Sequence, residues 1–307
     1  MEVYLPIAEL SLDWPLLLGL GAIAGLMAGM FGVGGGFLLT PLLIFVGVPP
    51  TVAVATQANQ VIATSISGLL AQWQRGNVDT RMGMTMLLGG LVGSTSGVFL
   101  FGVLKRIGQI DLTIALGYVI LLSVIGALML VESVRTWRRR RDPQAPRRRL
   151  HQHYLVHRLP FKMRFYRSRL YISALVPIGI GFAIGVLSAL LGIGGGFILL
   201  PAMIYLLGMP TLVAIGTSSF QILFVAINVT FLQAVENHTV DIVLALLLIL
   251  GGAIGTPFGS GLAAKLPGFQ LRGLLSLVIL AMAIKLMIEL FARPDAIYSL
   301  GAIVRMP

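Results

Sequence analysis

The chain has 307 residues, 57% hydrophobic and only 11% charged, where a soluble domain carries about a quarter charged residues. A water-soluble fold cannot hide that much apolar surface, so lipid is the expected solvent and an ordinary soluble enzyme is excluded. The net charge of +11 would fit a nucleic-acid partner if it were spread over a face, and the absence of cysteine removes disulfides and thiolate chemistry.

The N-terminus carries Glu2, Glu9 and Asp13 and no Lys or Arg. It lacks the basic start of a cleaved signal peptide, so the first apolar run is expected to be retained. That run, 14–31, is followed by glycines and a short apolar segment, 37–46. Three longer runs come next, at 52–71, 84–104 and 112–131, each long enough to cross a hydrocarbon core of ~30 Å at 1.5 Å per residue.

Between Ser133 and Leu170 lie thirteen Lys or Arg residues against one acid, Asp142. All of the surplus positive charge therefore sits in one connection between apolar blocks. The positive-inside rule places it in the cytoplasm, beside anionic lipid headgroups, and removes the case for nucleic acid. Residues 161–170, basic with Phe165 and Tyr166, are expected to lie along the membrane surface. Spans at 172–191, 197–207, 212–235, 242–264 and 271–291 follow. Threading outward from the linker puts Arg75 and Arg81 inside and the N-terminus, Glu236, His238 and Asp241 outside. Lys105-Arg106, also outside, is the one exception to the charge rule.

The two blocks are copies. Gly25-x3-Gly29-x2-Gly32-x-Gly34-Gly35-Gly36-x4-Pro41 recurs as a similar run from Gly185 through Gly192, Gly194, Gly195 and Gly196 to Pro201. Downstream, Gly47-Val-Pro49 answers Gly208-Met-Pro210, Gln60 answers Gln221, Val78-Asp79 answers Val240-Asp241, and Gly93 and Gly97 answer Gly255 and Gly259. Five segments per copy is an odd number, so the expected fold is an all-α integral membrane protein of about 8–10 membrane segments in two inverted-topology repeats. The expected division is a first repeat over 1–133, a cytoplasmic linker over 134–170 and a second repeat over 171–307.

Glycines spaced by four suit close helix packing. Three consecutive glycines do something else: each costs about 1 kcal/mol of helix propensity, and a break at membrane depth leaves N–H and C=O groups that only protein or a polar cavity can satisfy. Each repeat is thus expected to open on a Gly-broken or re-entrant short helix, whose N-terminus favours an anion without any buried Lys or Arg. Neutral amides and hydroxyls follow each break, and they can donate to sulfonate or carboxylate oxygens or hydrogen-bond between helices. The candidate substrate-binding set is Gly34, Gly35, Gly36, Gln57, Asn59, Gln60, Gly194, Gly195, Gly196, Thr217, Ser218, Ser219 and Gln221. No constellation for catalysis, a cofactor or a resident metal is present: three of the four histidines (His151, His153, His157) fall in the linker and His238 in an outer loop.

The doubled glycine pattern with Thr217-Ser218 resembles the TauE/SafE-type sulfite exporter family of bacterial membrane transporters, over nearly the whole chain. The resemblance implies a secondary carrier in the cell inner membrane for a small anion such as sulfite, sulfoacetate or a related organosulfonate, working by alternating access. An anion channel, or a carrier of small carboxylates, is the alternative. A proton or cation is the coupling partner to look for, although no intramembrane Asp, Glu or His relay is visible. Oligomeric state stays open, a homodimer included. Gln57 stands where the second copy has Ser218, a departure from internal symmetry.

Overall fold

The computed structural model describes residues 2–31, 35–140, 162–168, 170–265 and 268–291. A hairpin of β1 (Glu2–Leu5) and β2 (Leu10–Asp13) leads into α1 (Trp14–Phe31), a short α2 (Gly36–Phe45), α3 (Pro50–Gln74), α4 (Thr80–Arg106) and α5 (Ile110–Arg140). The order then recurs. A hairpin of β3 (Lys162–Phe165) and β4 (Leu170–Ser173) leads into α6 (Leu175–Leu191), a short α7 (Gly196–Pro201) prolonged by a π-helical turn (Ala202–Leu206), α8 (Thr211–Leu232) with a terminal π turn (Gln233–Asn237), α9 (Ile242–Lys265) and α10 (Gly268–Phe291).

This is an all-α membrane protein. Among the described residues five helices are long and apolar enough to cross a membrane: Thr80–Arg106, Ile110–Arg135, Thr211–Asn237, Ile242–Gly259 and Gly273–Phe291. Four shorter apolar helices accompany them, over Trp14–Met30, Gly36–Phe45, Leu175–Leu191 and Gly196–Leu206. α3 is 25 residues long, but its polar middle keeps it out of the first group. α5 shows how an apolar helix divides its faces. Ile114, Tyr118 and Leu122 are buried at a spacing of four, while Leu112, Leu116, Ile120, Val124 and Leu128 form an exposed stripe facing where lipid would be.

Within the segment expected to lie along the membrane surface, 161–170, Lys162–Phe165 is a β-strand paired with Leu170–Ser173. Phe165 is fully buried, while Met163, Arg164 and Tyr166 are exposed. The hairpin straddles the boundary expected at 170/171. The rest of the basic linker, 141–161 with its three histidines, lies outside the described residues.

The two halves interlock. The most extensive helix contacts join α1 to α9 and α4 to α6, so the first long helix of each half packs on the fourth of the other. Glycine makes both contacts possible. A Cβ on Gly21 would lie 2.7 Å from Leu248 O, one on Gly185 2.8 Å from Ser94 N, and Gly25 faces the Gly252 backbone in the same way. Gly255 and Gly259 abut the α1 backbone while Gly93 and Gly97 abut that of α6. Gly25 and Gly185, which open the doubled pattern, thus serve helix contact rather than the breaks.

Two lysines in the helical region find specific work. Lys105, the exception to the charge rule, donates from Nζ to Asn237 O at 2.8 Å and so caps the C-terminal turn of the α8 segment. Lys285 pairs with Glu289 at 3.8 Å, both half exposed, and lies 3.7 Å from the centre of the Phe45 ring.

Candidate functional site

α3 and α8 cross at the middle of the molecule, and matching turns launch them. Pro49 and Pro210 are the N-caps, with ψ of 135° and 134°. Proline fixes φ and gives up an N–H that a helix start leaves unpaired anyway.

The glycine breaks lie against this crossing. Gly35 O accepts from Leu38 N and Leu39 N, both at 3.3 Å, to open α2, and Gly195 O accepts from Ile198 N at 3.2 Å and Leu199 N at 2.8 Å to open α7. Residues 192–195 are non-helical yet buried. Gly194 and Gly195 adopt φ of 67° and 73°, a region that strains any residue with a Cβ. No described acceptor takes the N–H groups of Gly194 and Gly195. Gly34 lies outside the described residues. The first residues of the two new helices meet: Phe37 and Phe197 stack with ring centroids 4.2 Å apart and planes 10° from parallel. Apolar rings, rather than a void, therefore fill the point directly between the helix starts.

Gln57 is the polar group held against both breaks. It is fully buried, and neither Oε1 nor Nε2 has a hydrogen-bond partner. A Cβ on Gly36 would come within 2.8 Å of its Oε1, and one on Gly192 within 3.1 Å of its Nε2. The amide is wedged between the first half's break and the second's. An orphaned buried amide costs about 1–3 kcal/mol, so its retention calls for a ligand or another use.

Gln60 and Gln221 form a mirrored pair. Gln60 donates from Nε2 to Gly21 O at 3.2 Å and Gln221 from Nε2 to Met86 O at 3.4 Å, and each Oε1 accepts nothing. Their amides lie over Gly252 and Gly90, corresponding glycines of the two fourth helices. The remaining members of the expected set are already engaged. Thr217 Oγ1 accepts from Asp79 N, Ser218 and Ser219 each donate to Ile215 O at 2.9 Å, and Asn59 donates to Thr56 O at 3.1 Å. Asn228, from the same polar run of α8, bridges to Ser94 and Thr95 of α4, the interhelical role.

Two adjoining cavities reach this region. One, of about 370 Å³, is lined by Ser219, Thr64, Ser65, Gln72, Arg75 and Thr256 among others. The other, of about 330 Å³, brings in Gln60 together with Thr64, Ser67 and Thr256. The first runs to Gln72 and Arg75, the C-terminal end of α3. At the corresponding end of α8, Gln233 is fully buried: it donates to Ala189 O at 3.4 Å and accepts from Asn237 Nδ2 at 2.7 Å and Thr239 Oγ1 at 3.4 Å. Of the expected residues, Ser219 and Gln60 line these cavities. Thr64, Ser65, Ser67, Gln72, Arg75 and Thr256 line them as well, and the spacing of three between Thr64 and Ser67 puts both hydroxyls on one face of α3.

Comparison with known proteins agrees with the doubled glycine pattern. The family model described as "Sulfite exporter TauE/SafE" matches residues 17–286. The chain belongs to the sulfite exporter TauE/SafE family. A "Probable membrane transporter protein" of Xylella fastidiosa (strain 9a5c) is 31% identical over 275 residues, covering 87% of this chain and 92% of the relative. The "Probable membrane transporter protein YunE" of Bacillus subtilis (strain 168) is 28% identical over 288 residues, covering 91% and 98%. A 48-residue stretch is 44% identical to "Sulfite exporter TauE/SafE family protein 6" of Arabidopsis thaliana, covering 15% of this chain and 11% of that protein. No solved structure matches. TauE/SafE membership makes this a multi-pass membrane transporter rather than an enzyme, with a small-molecule substrate and a lipid environment.

Proposed function

We propose that the protein is a secondary carrier of a small sulfur oxyanion or organosulfonate, sulfite and sulfoacetate being the type cases, in the cell inner membrane. The linker lies in the cytoplasm, the N-terminus outside, and the two halves are inverted repeats that exchange access to a central site. The anion binds where the breaks at Gly34–Gly36 and Gly194–Gly196 meet α3 and α8, held by backbone N–H groups, by Gln57, by the second amide N–H of Asn59, Gln60 and Gln221 and by the Thr217 hydroxyl, whereas Ser218 and Ser219 donate to Ile215 O and have no proton left for it. The observation that carries this reading is Gln57, fully buried with an unpartnered Nε2 between the two breaks. A neutral donor set stabilises an anion without the desolvation cost of a buried Lys or Arg. In this arrangement the cavity ending at Arg75 is the cytoplasmic approach and the Gln233 network is the closed outer side.

The test is the melting temperature of purified protein with sulfite, thiosulfate, sulfoacetate, taurine, sulfate and acetate. A ligand present at about 100 times its Kd stabilises by roughly 2.7 kcal/mol. A selective rise with a sulfur anion supports the reading, a rise with acetate alone moves it to carboxylates, and no rise with any sinks it. Saturation and counterflow in vesicles separate a carrier from a channel. Transport left intact by Gly195→Leu and Gln60→Ala in folded protein would remove the site.

A further inference from the structure

We propose that the cavities beside Gln60 hold a monovalent alkali cation. The inference rests on the orientation of hydroxyl protons. Thr64 donates to Gln60 O and Val61 O, both at 3.1 Å, and Ser67 donates to Thr64 O at 3.1 Å. Ser219 donates to Ile215 O at 2.9 Å and Thr256 to Gly252 O at 2.7 Å. Each hydroxyl has spent its one hydrogen on its own helix, so each presents lone pairs to the cavity. Gln60 adds an Oε1 that accepts nothing and is almost fully buried. Pro257, in the middle of α9, has no N–H to give the carbonyl of Ala253, another lining residue. The last turn of α1 contributes Ala28 and Gly29, and a helix C-terminus with no basic residue in its final turn carries partial negative charge.

Oxygen acceptors converging from α3, α8 and α9 beside a helix C-terminus select a cation. Divalent ions are usually held by carboxylates, and none of the described residues lining either cavity is an Asp or Glu. Neutral oxygens suit a single charge. Arg75 lines the same cavity eleven residues beyond Thr64 along α3, about 16 Å at 1.5 Å per residue, and is exposed to water that screens it. The cation would neutralise a bound anion that meets no buried Lys or Arg, and in that sense the inference deepens the carrier reading by supplying its coupling ion.

The experiment is the melting temperature of the full chain without any sulfur anion, in NaCl, KCl or LiCl replaced stepwise by choline chloride at constant ionic strength. A saturable rise of a few degrees is expected with one alkali cation. Thr64→Val and Thr256→Val, close in shape and lacking only the oxygen, should abolish it while melting normally in choline. Ser67→Ala, at an exposed position, provides a folded variant in which the rise should be weakened. Identical melting in all four salts, or a rise that survives in every variant, overturns the proposal. Sulfite binding is measured separately in choline and in the alkali salt. Sulfite binding without any alkali-specific rise removes the cation site and leaves the anion carrier standing, whereas an alkali-specific rise with no anion bound in either medium does the reverse.

Discussion

The backbone N–H of Asp79 donates to Thr217 Oγ1 at 3.0 Å, tying the start of α4 to the second turn of α8 in the other half. The mirror contact has the same length: Asp241 N donates to Thr56 Oγ1 at 3.0 Å, tying α9 to α3. Both aspartates cap their helices through Oδ1, accepting from Met82 N at 3.2 Å and Leu244 N at 3.1 Å. Each Oδ2 then reaches the other half's hairpin, Asp79 taking Ser168 N at 2.9 Å and Ser168 Oγ at 2.6 Å and Asp241 taking Ile7 N at 3.0 Å.

Thr56→Val and Thr217→Val each leave a buried N–H without its acceptor. Each should cost about 1–3 kcal/mol, and because the two contacts share no partner the losses should add. Chemical denaturation of the single and double variants in detergent checks this, and a change under 0.5 kcal/mol for either would mean that the contact carries no weight.

Gln57→Leu is expected to raise stability and lower anion affinity together. Leucine removes two buried polar atoms that lack partners and keeps most of the volume, a gain of about 1–3 kcal/mol. Paired melting and binding curves decide it. A destabilised variant would show that the amide is satisfied inside the protein.

Gly185→Val should prevent α6 from closing on α4. Its first side-chain carbon would fall on the backbone of Gly90 and Ser94, which cannot move aside as a side-chain tip can. A loss of at least about 3 kcal/mol, or no folded protein, is the expected outcome. Gly179→Val makes the control, since a Cβ there meets nothing within 4 Å.

With no native cysteine, Ser219→Cys and Gln233→Cys report the two ends of the crossing without background. A charged thiol reagent should modify position 219 through its cavity and leave 233 protected. Equal rates at the two positions would contradict an open cavity at Ser219 and a protected Gln233.

Much of this was legible because repetition amplifies weak signals. α1 occupies 14–31 as expected, and the short helices after both glycine clusters begin within a residue of their expected starts. Helix starts at Pro50 and Thr211 follow from the Gly-x-Pro turns. The hairpins were missed because four-residue strands fall below the length at which a period of two stands out from a polar loop. Within the site, sequence could mark Gln57 as the odd member of a repeated pair but not that its amide goes unpartnered. Nor could Thr217 be told from Ser219: one hydroxyl accepts from a distant backbone and the other lines a cavity, a difference set by which side of α8 each occupies. Arg75 and Gln72 read as an ordinary helix end, and only the approach of α8 and α9 makes that end the wall of a cavity.

The crossed carboxylates bear on what happens if the polypeptide is cut. Each half supplies the other with a hydrogen-bond acceptor for its hairpin, a threonine for its capped aspartate and a glycine-faced partner for its first long helix. Severed between 141 and 161, the halves expressed separately would each face the membrane with those needs unmet and be cleared by proteolysis, whereas synthesised together they should recombine into one complex that survives purification on a tag carried by either fragment.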